Sequence, residues 1–324
     1  MKKVKSIKKS INKNINSIIV YNELDKNFIL EKSHKNKKIE TKTFLKTHKI
    51  LKNNLNKKIE EEYRKIINNF FNKLSRKLPH CNFDNLNNNI SSLKIRLSKN
   101  YRKYVVGSYY PMRNRIKIRE KNDKSTFYHE LLHMASRKYI NKHCIISGFK
   151  YSDFNKNLFF GNFINEGYTE YLNTKYFSIN NICYKSNISI VIILEKIIGK
   201  ELMEKMYFNA DVIGLINELM KYDNTLDSVI EFIINTDYIH KNQYTLNPIK
   251  KLKLKSINEK VNVFLVKTYR TKLKRIRENN EEFKITHYRT SGENILNLVS
   301  DNKLYISFFE KLTEETFLMK MKRS

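Results

Sequence analysis

Residues 129–133 read His-Glu-Leu-Leu-His, and no other stretch restricts so tightly what the chain around it must build. As a helix, the segment puts His129 and His133 one turn apart with both imidazoles on one face. Two neutral imidazoles at that separation can close on one small divalent ion without distorting the backbone. Glu130 points slightly round the helix, where it reaches a water on such an ion rather than the ion itself, the position of a general base. The competing reading is an amphipathic helix that happens to carry two histidines. A second helix downstream argues against it.

A catalytic zinc site takes three protein ligands and keeps one position open. Residues 161–172, GNFINEGYTEYL, read as that second helix, opened by Gly161-Asn162, with Ile164, Tyr168, Tyr171 and Leu172 as its apolar stripe. Glu166 and Glu170 share a different face, one turn apart. Two stacked carboxylates usually mark a solvated face. Beside an H-E-x-x-H helix they read instead as a third zinc ligand, Glu166, and an acceptor, Glu170, for the outer ring N–H of a liganding histidine. His143, Cys144 and Asp153 are chemically competent rivals for the third position. His143 is placed near the end of the first helix or just past it, so it would have to fold back.

His129–His133 followed by Asn165-Glu166-Gly167 resembles the gluzincin group of zinc metallopeptidases, which includes thermolysin-like and aminopeptidase-like enzymes. The similarity covers residues 104–176 and extends more loosely to about residue 221. It implies one zinc ion per chain held by His129, His133 and Glu166, Glu130 as catalytic base, and Asn165 and Glu170 as supporting residues. It also implies a zincin-like core in which an edge strand pairs with the substrate backbone. Metzincins differ: their third histidine and midway glycine fall at Tyr139 and Ser136 here. The gap from His133 to Glu166 is longer than in the best-known gluzincins, so residues 142–162 are expected to loop out.

The implied reaction is peptide-bond hydrolysis by a zinc-bound water. Zinc polarises the carbonyl, and Glu130 takes the water's proton and passes it to the departing amine. A second donor to the oxyanion is needed; Tyr168, Tyr171, Tyr176, a tyrosine of the helical lobe and His240 are open candidates. The alternative is a basic nucleic-acid- or polyanion-binding protein whose zinc is structural, or whose peptidase fold is inactive.

The rest of the chain predicts an α+β protein: a small mixed sheet with the two site helices, then a mostly helical C-terminal lobe. Residues 1–54 read as a basic, weakly patterned arm, 55–178 as the zincin-like core, 179–245 as the helical lobe and 246–324 as a basic helical region. A strong amphipathic helix is expected over 59–78, ended by Pro79, then an Asn-rich loop. Leu93, Ile95 and Leu97 alternate with polar residues as a strand does. Residues 104–110 and 115–119 predict a hairpin across the turn at Pro111-Met112-Arg113-Asn114. Its first strand, with Gly107, Ser108, Tyr109 and Tyr110, or the strand after the turn, is the candidate substrate edge; an ordinary structural hairpin is the competing reading. Residues 145–160 read as an aromatic loop, suited to a lid, a specificity wall or plain packing. Helices are expected over 187–198, 201–208, 212–222 and 225–234, then 249–277 with a break near Ser256-Ile257-Asn258. The tail beyond is aromatic enough to pack.

With 63 Lys+Arg against 32 Asp+Glu the formal charge is +31, which points to nucleic acid or an anionic surface. Lys, Asn and Ile are in excess together, however, as an AT-rich genome produces unaided, and no nucleic-acid module is recognisable. Non-specific, salt-sensitive polyanion binding is expected beside a peptide or protein substrate. No apolar run is long enough to span a bilayer. The three scattered cysteines suit a reducing cytoplasm.

Overall fold

The computed structural model describes residues 61–98, 105–120, 123–177 and 184–278. The basic arm over 1–54, Tyr104 at the start of the predicted hairpin, and the aromatic tail lie outside them. Within them the protein is mixed α+β, with two small sheets and many helices.

Helix α1 (Glu61–Lys77) buries the stripe its spacing predicts: Tyr63, Ile66, Ile67, Phe70, Phe71 and Leu74. The Asn-rich segment after it is a helix rather than a loop. In α2 (Asp84–Ile90) Leu86 and Ile90 go inward, and buried Asn89 does a specific job. Its amide nitrogen donates to the Met134 and Arg137 carbonyls, and its oxygen accepts from the Arg137 guanidinium. Asn89 thereby ties the last turn of the next helix, at Met134, to the start of the strand after it, at Arg137.

Three strands make the first sheet, in the order β1 (Lys94–Leu97), β3 (Arg115–Ile118), β2 (Gly107–Tyr110). The hairpin β2–β3 is antiparallel as predicted, while β1 runs parallel to β3. β2 is therefore an edge. Arg119 N–H donates to Val106 C=O, which fixes the alternation of the ladder. Gly107 and Tyr109 turn their main-chain groups away from β3.

Helix α3 (Lys124–Ala135) carries the His-Glu-Leu-Leu-His motif and is capped by the Asp123 carboxylate, which accepts from Thr126 N–H at 2.9 Å. Residues 127–135 are all buried. Gly107 lets β2 approach this helix: a Cβ there would lie 2.2 Å from the Thr126 methyl.

The predicted loop between the two site helices is a second sheet. Strands β4 (Arg137–Asn141), β5 (Cys144–Ser147), β6 (Lys150–Asp153) and β7 (Leu158–Phe160) form an antiparallel meander in that order. The long gap from His133 to Glu166 is thus spent on regular structure. Its turn at Gly148-Phe149 packs inward, while Phe154 and Phe159 meet edge to face on the exposed end.

Helix α4 (Asn162–Phe177) supplies the carboxylates and is buried along nearly its whole length. Helices α5 (Lys185–Ile198) and α8 (Leu226–Asn242) pack on it, α6 (Lys200–Phe208) reaches it through Glu204 and Tyr207, and α7 (Val212–Met220) packs on α6 and α8. One hydrophobic cluster runs from Tyr63 to Val266. Helix α9 (Pro248–Glu278) is continuous: Ile257 packs inward and carries the helix through the polar Ser256–Asn258 step that reads as a break.

Helix α8 extends two turns beyond its predicted end, and the extension matters. Asp237 accepts from Gly161 N–H at 2.7 Å and Phe163 N–H at 2.8 Å, capping α4 from another helix. Burial pushes its carboxyl up from 3.8 to about 6, against the pull of those amides. A carboxyl raised on folding contributes stability that is fully present below the unfolded value and lost as pH rises through 6. In EDTA, the wild-type advantage over Asp237→Asn in urea unfolding should therefore be larger at pH 4 than at pH 7, by on the order of 2 kcal/mol. An unchanged difference would mean that burial does not raise the Asp237 carboxyl.

Candidate metal centre

Three ring and carboxylate atoms from α3 and α4 converge. His129 Nε2 and His133 Nε2 are 3.1 Å apart, and each lies 3.3 Å from Glu166 Oε2. Among the described residues this is the group of His, Cys, Asp and Glu side chains that could hold a metal ion. The helical spacing supplies the imidazole pair, and packing of α4 across α3 supplies the carboxylate.

Each ring is oriented from behind. His129 Nδ1 lies 2.7 Å from Glu170 Oε2, and Glu170 is buried. That leaves His129 Nε2 facing the other two donors. Burial opposes a charge on His129, but the Glu166 and Glu170 carboxylates outweigh it and hold the imidazole well above its ordinary range. Burial likewise works against the Glu166 carboxylate, yet the two histidines hold it well below the usual range.

The surroundings of His133 were legible in the sequence only in part. Asn165, expected as a supporting residue, places its amide nitrogen 3.2 Å from His133 Nδ1 while its oxygen accepts from Phe149 N–H at 3.1 Å. The acceptor for an Nδ1–H is the Thr169 hydroxyl, at 3.4 Å. Thr169 donates to the Asn165 carbonyl and meets the Tyr207 hydroxyl, each at 2.7 Å. Thr169 sits three residues after Glu166, a spacing that could have flagged it; nothing local points to Tyr207. Gly148, at φ +54°, makes room for both, since a Cβ would lie 2.4 Å from the Asn165 oxygen and from the Tyr207 ring. Thr169→Val keeps the shape and removes the acceptor. An ion held by this donor set should then bind about 10- to 100-fold more weakly in a competition titration, the usual cost of losing an outer partner.

Glu130 faces the same cleft without joining the donor set. It accepts from the Tyr109 backbone N–H, so edge strand β2 orients it. Burial raises its carboxyl above the ordinary value, against the attraction of the two histidines. The cleft, about 190 Å³, has Gly107, Ser108, Tyr109 and Pro111 along one wall and Ser147 and Lys150 on another. Tyr184 closes a side, its ring 5.9 Å from that of His129 and tilted by 27°. Three of the four predicted strand residues line it. Tyr110 instead points outward, with the Lys117 ammonium 5.0 Å from its ring.

The rivals for the third position are elsewhere. His143 is exposed in the β4–β5 turn, not near the end of the motif helix. Cys144 is buried in β5, and Asp153 accepts from the amides of Asn155 and Lys156. Three of the oxyanion candidates are also occupied away from the cleft. Tyr168 and Tyr171 donate to Glu195, and Tyr176 to Glu204, with Lys175 between the two carboxylates. His240 meets the amide of Asn187 at 3.2 Å. A larger cavity of about 540 Å³ lies between α2, the Pro111–Arg113 turn and β4. Lys94, Arg113, Arg137 and Lys138 make it basic, but it brings no metal-ligand set together.

No protein-family model, curated protein or solved structure matches this chain.

Proposed function

We propose that this chain is a metal-dependent hydrolase acting on peptide bonds. Within that class, the reading is a zinc metallopeptidase of gluzincin type, with α3, α4 and the first sheet as a zincin-like core. The observation that carries it is the triangle of donor atoms with Glu130 beside it. Tetrahedral ligands about 2.0–2.1 Å from an ion sit about 3.3 Å from each other. The three separations here, 3.1, 3.3 and 3.3 Å, are close to that figure. Two imidazoles and a carboxylate suit zinc, and three protein ligands leave one position for chemistry. A structural site would fill its fourth position with another side chain. Here that side opens on the cleft and Glu130.

Bound zinc would supply Lewis acidity towards a peptide carbonyl and an attacking water. The protein's part is positioning and proton transfer. A substrate backbone laid along β2 meets the outward main-chain groups of Gly107 and the Tyr109 carbonyl and is held in register there, while the Tyr109 N–H stays on Glu130. Glu130 takes the proton of the attacking water on its carboxylate and gives it to the amine nitrogen as the C–N bond breaks. Glu170 accepts from His129 Nδ1–H and the Thr169 hydroxyl from His133 Nδ1–H, which keeps both rings turned towards the ion.

The test is metal analysis of the purified chain followed by peptide-library digestion. About one zinc per chain, with cleavage products absent for Glu130→Gln, is the expected result. A chain that takes up no zinc when supplied with it would end this reading. One that binds zinc but cleaves nothing would favour a binding protein.

A further inference from the structure

The N-terminal end of α9 and the segment leading into it carry an unusual surface. Tyr244, Leu246, Ile249 and Leu252 are 82%, 86%, 77% and 73% exposed. Single exposed apolar residues are ordinary, but four large ones within nine positions are not. Lys241, Lys250, Lys251, Lys253 and Lys255 surround them, all exposed, and no Asp or Glu occurs between Lys241 and Asn258. Further along, Ile257, Val261, Leu265 and Val266 are buried, and α9 packs on α8 and α5. At 100° per residue, Ile249 and Leu252 point roughly opposite to that buried stripe, with Lys253 on one side of them and Lys251 and Lys255 on the other. The first turns of α9 therefore present a narrow apolar ridge with Lys251 and Lys255 on one side and Lys253, its ammonium 4.9 Å from the Tyr238 ring, on the other, facing away from the other described residues.

We infer that this ridge is an anionic-membrane contact: a bilayer surface takes the four apolar side chains to the depth of the headgroups, and acidic lipids meet the lysines. Both halves of the pattern are needed for that assignment. A nucleic acid would answer the lysines but leave the apolar residues in water. A second copy of this chain would answer the apolar residues but press two lysine clusters together. Acidic lipid answers both, since apolar burial and attraction of Lys to the surface potential add. Tyr244 is suited to the interface itself, with an apolar ring and a polar tip. No helix among the described residues is long and apolar enough to cross a membrane.

The experiment is vesicle co-sedimentation of the full chain, using phosphatidylcholine alone and phosphatidylcholine with one-fifth phosphatidylglycerol, at low salt and in 0.5 M NaCl. The expected result is binding at least about tenfold stronger to the acidic vesicles. The double substitution Leu246→Ser/Ile249→Ser should weaken that binding at least about tenfold with an unchanged melting temperature, because both side chains already lie in water. Glu166→Ala should bind vesicles as the wild type does, which separates this result from the peptidase reading. Absence of binding would overturn the inference. So would binding that salt abolishes but the double substitution leaves intact, since plain polyanion attraction then explains it. A self-association removed by the double substitution, without any vesicle effect, would assign the ridge to a second copy instead.

Discussion

Glu130→Gln should lower kcat for peptide hydrolysis by about 10²- to 10⁴-fold, the range over which a positioned general base contributes. KM and zinc content should stay close to wild type. The substitution is nearly isosteric, and the amide oxygen of Gln can still accept the Tyr109 N–H that orients Glu130. Neither imidazole nor the Glu166 carboxylate loses a neighbour it needs, since the donor triangle closes without Glu130. What disappears is the only function the amide cannot perform, acceptance of a proton. Steady-state kinetics on a peptide found by library digestion, with metal measured on the same sample, reads both quantities. Full activity in this variant would mean that another group takes the proton and that the role given to Glu130 is wrong. Loss of zinc together with activity would mean that Glu130 acts by holding the site together.

The parts of this site that could be read from the sequence are those written in local spacing. His129 and His133 are four residues apart on one helix, as are Glu166 and Glu170 on another, and each pair fixes a face before any tertiary contact forms. β2 and β3 were legible for a similar reason, because Ile116 and Ile118 alternate with polar residues and a proline marks the turn. The second sheet was hidden by its own burial. All four residues of β5 are buried, and β6 buries three of its four, so the two-residue period that identifies a half-exposed strand is missing. Strands of three to five residues also leave little to count. Asp237 and Tyr207 were missed for a different reason. Each meets the site helices across 38 to 76 residues of chain, a relation no periodicity records. The polar stretch Asn235-Thr236-Asp237 even reads as the end of α8, whereas its Asp is what α8 uses to cap α4.

Removing Glu166 tests the metal centre more directly than removing the base. Glu166→Ala should fall from about one zinc per chain to near none after dialysis, because a two-imidazole remnant lacks the third ligand that a stable site requires. Glu170→Gln should be milder, about 10- to 100-fold weaker in zinc affinity, since it loosens a ring without deleting a ligand. His143→Ala should bind as the wild type does, its side chain being exposed in the β4–β5 turn. Melting temperature supplies a second readout. Ligand at a thousandfold excess over its Kd stabilises the native state by about 4 kcal/mol, so added zinc should raise the melting temperature of wild type and His143→Ala and leave Glu166→Ala unmoved. The order matters as much as any single value. If Glu166→Ala keeps its zinc while Glu170→Gln loses it, the carboxylate one turn along is the ligand, and the 3.3 Å approach of Glu166 to both imidazoles is a hydrogen-bonding contact only. If every variant keeps its zinc, the metal sits elsewhere and the donor triangle has no part in holding it.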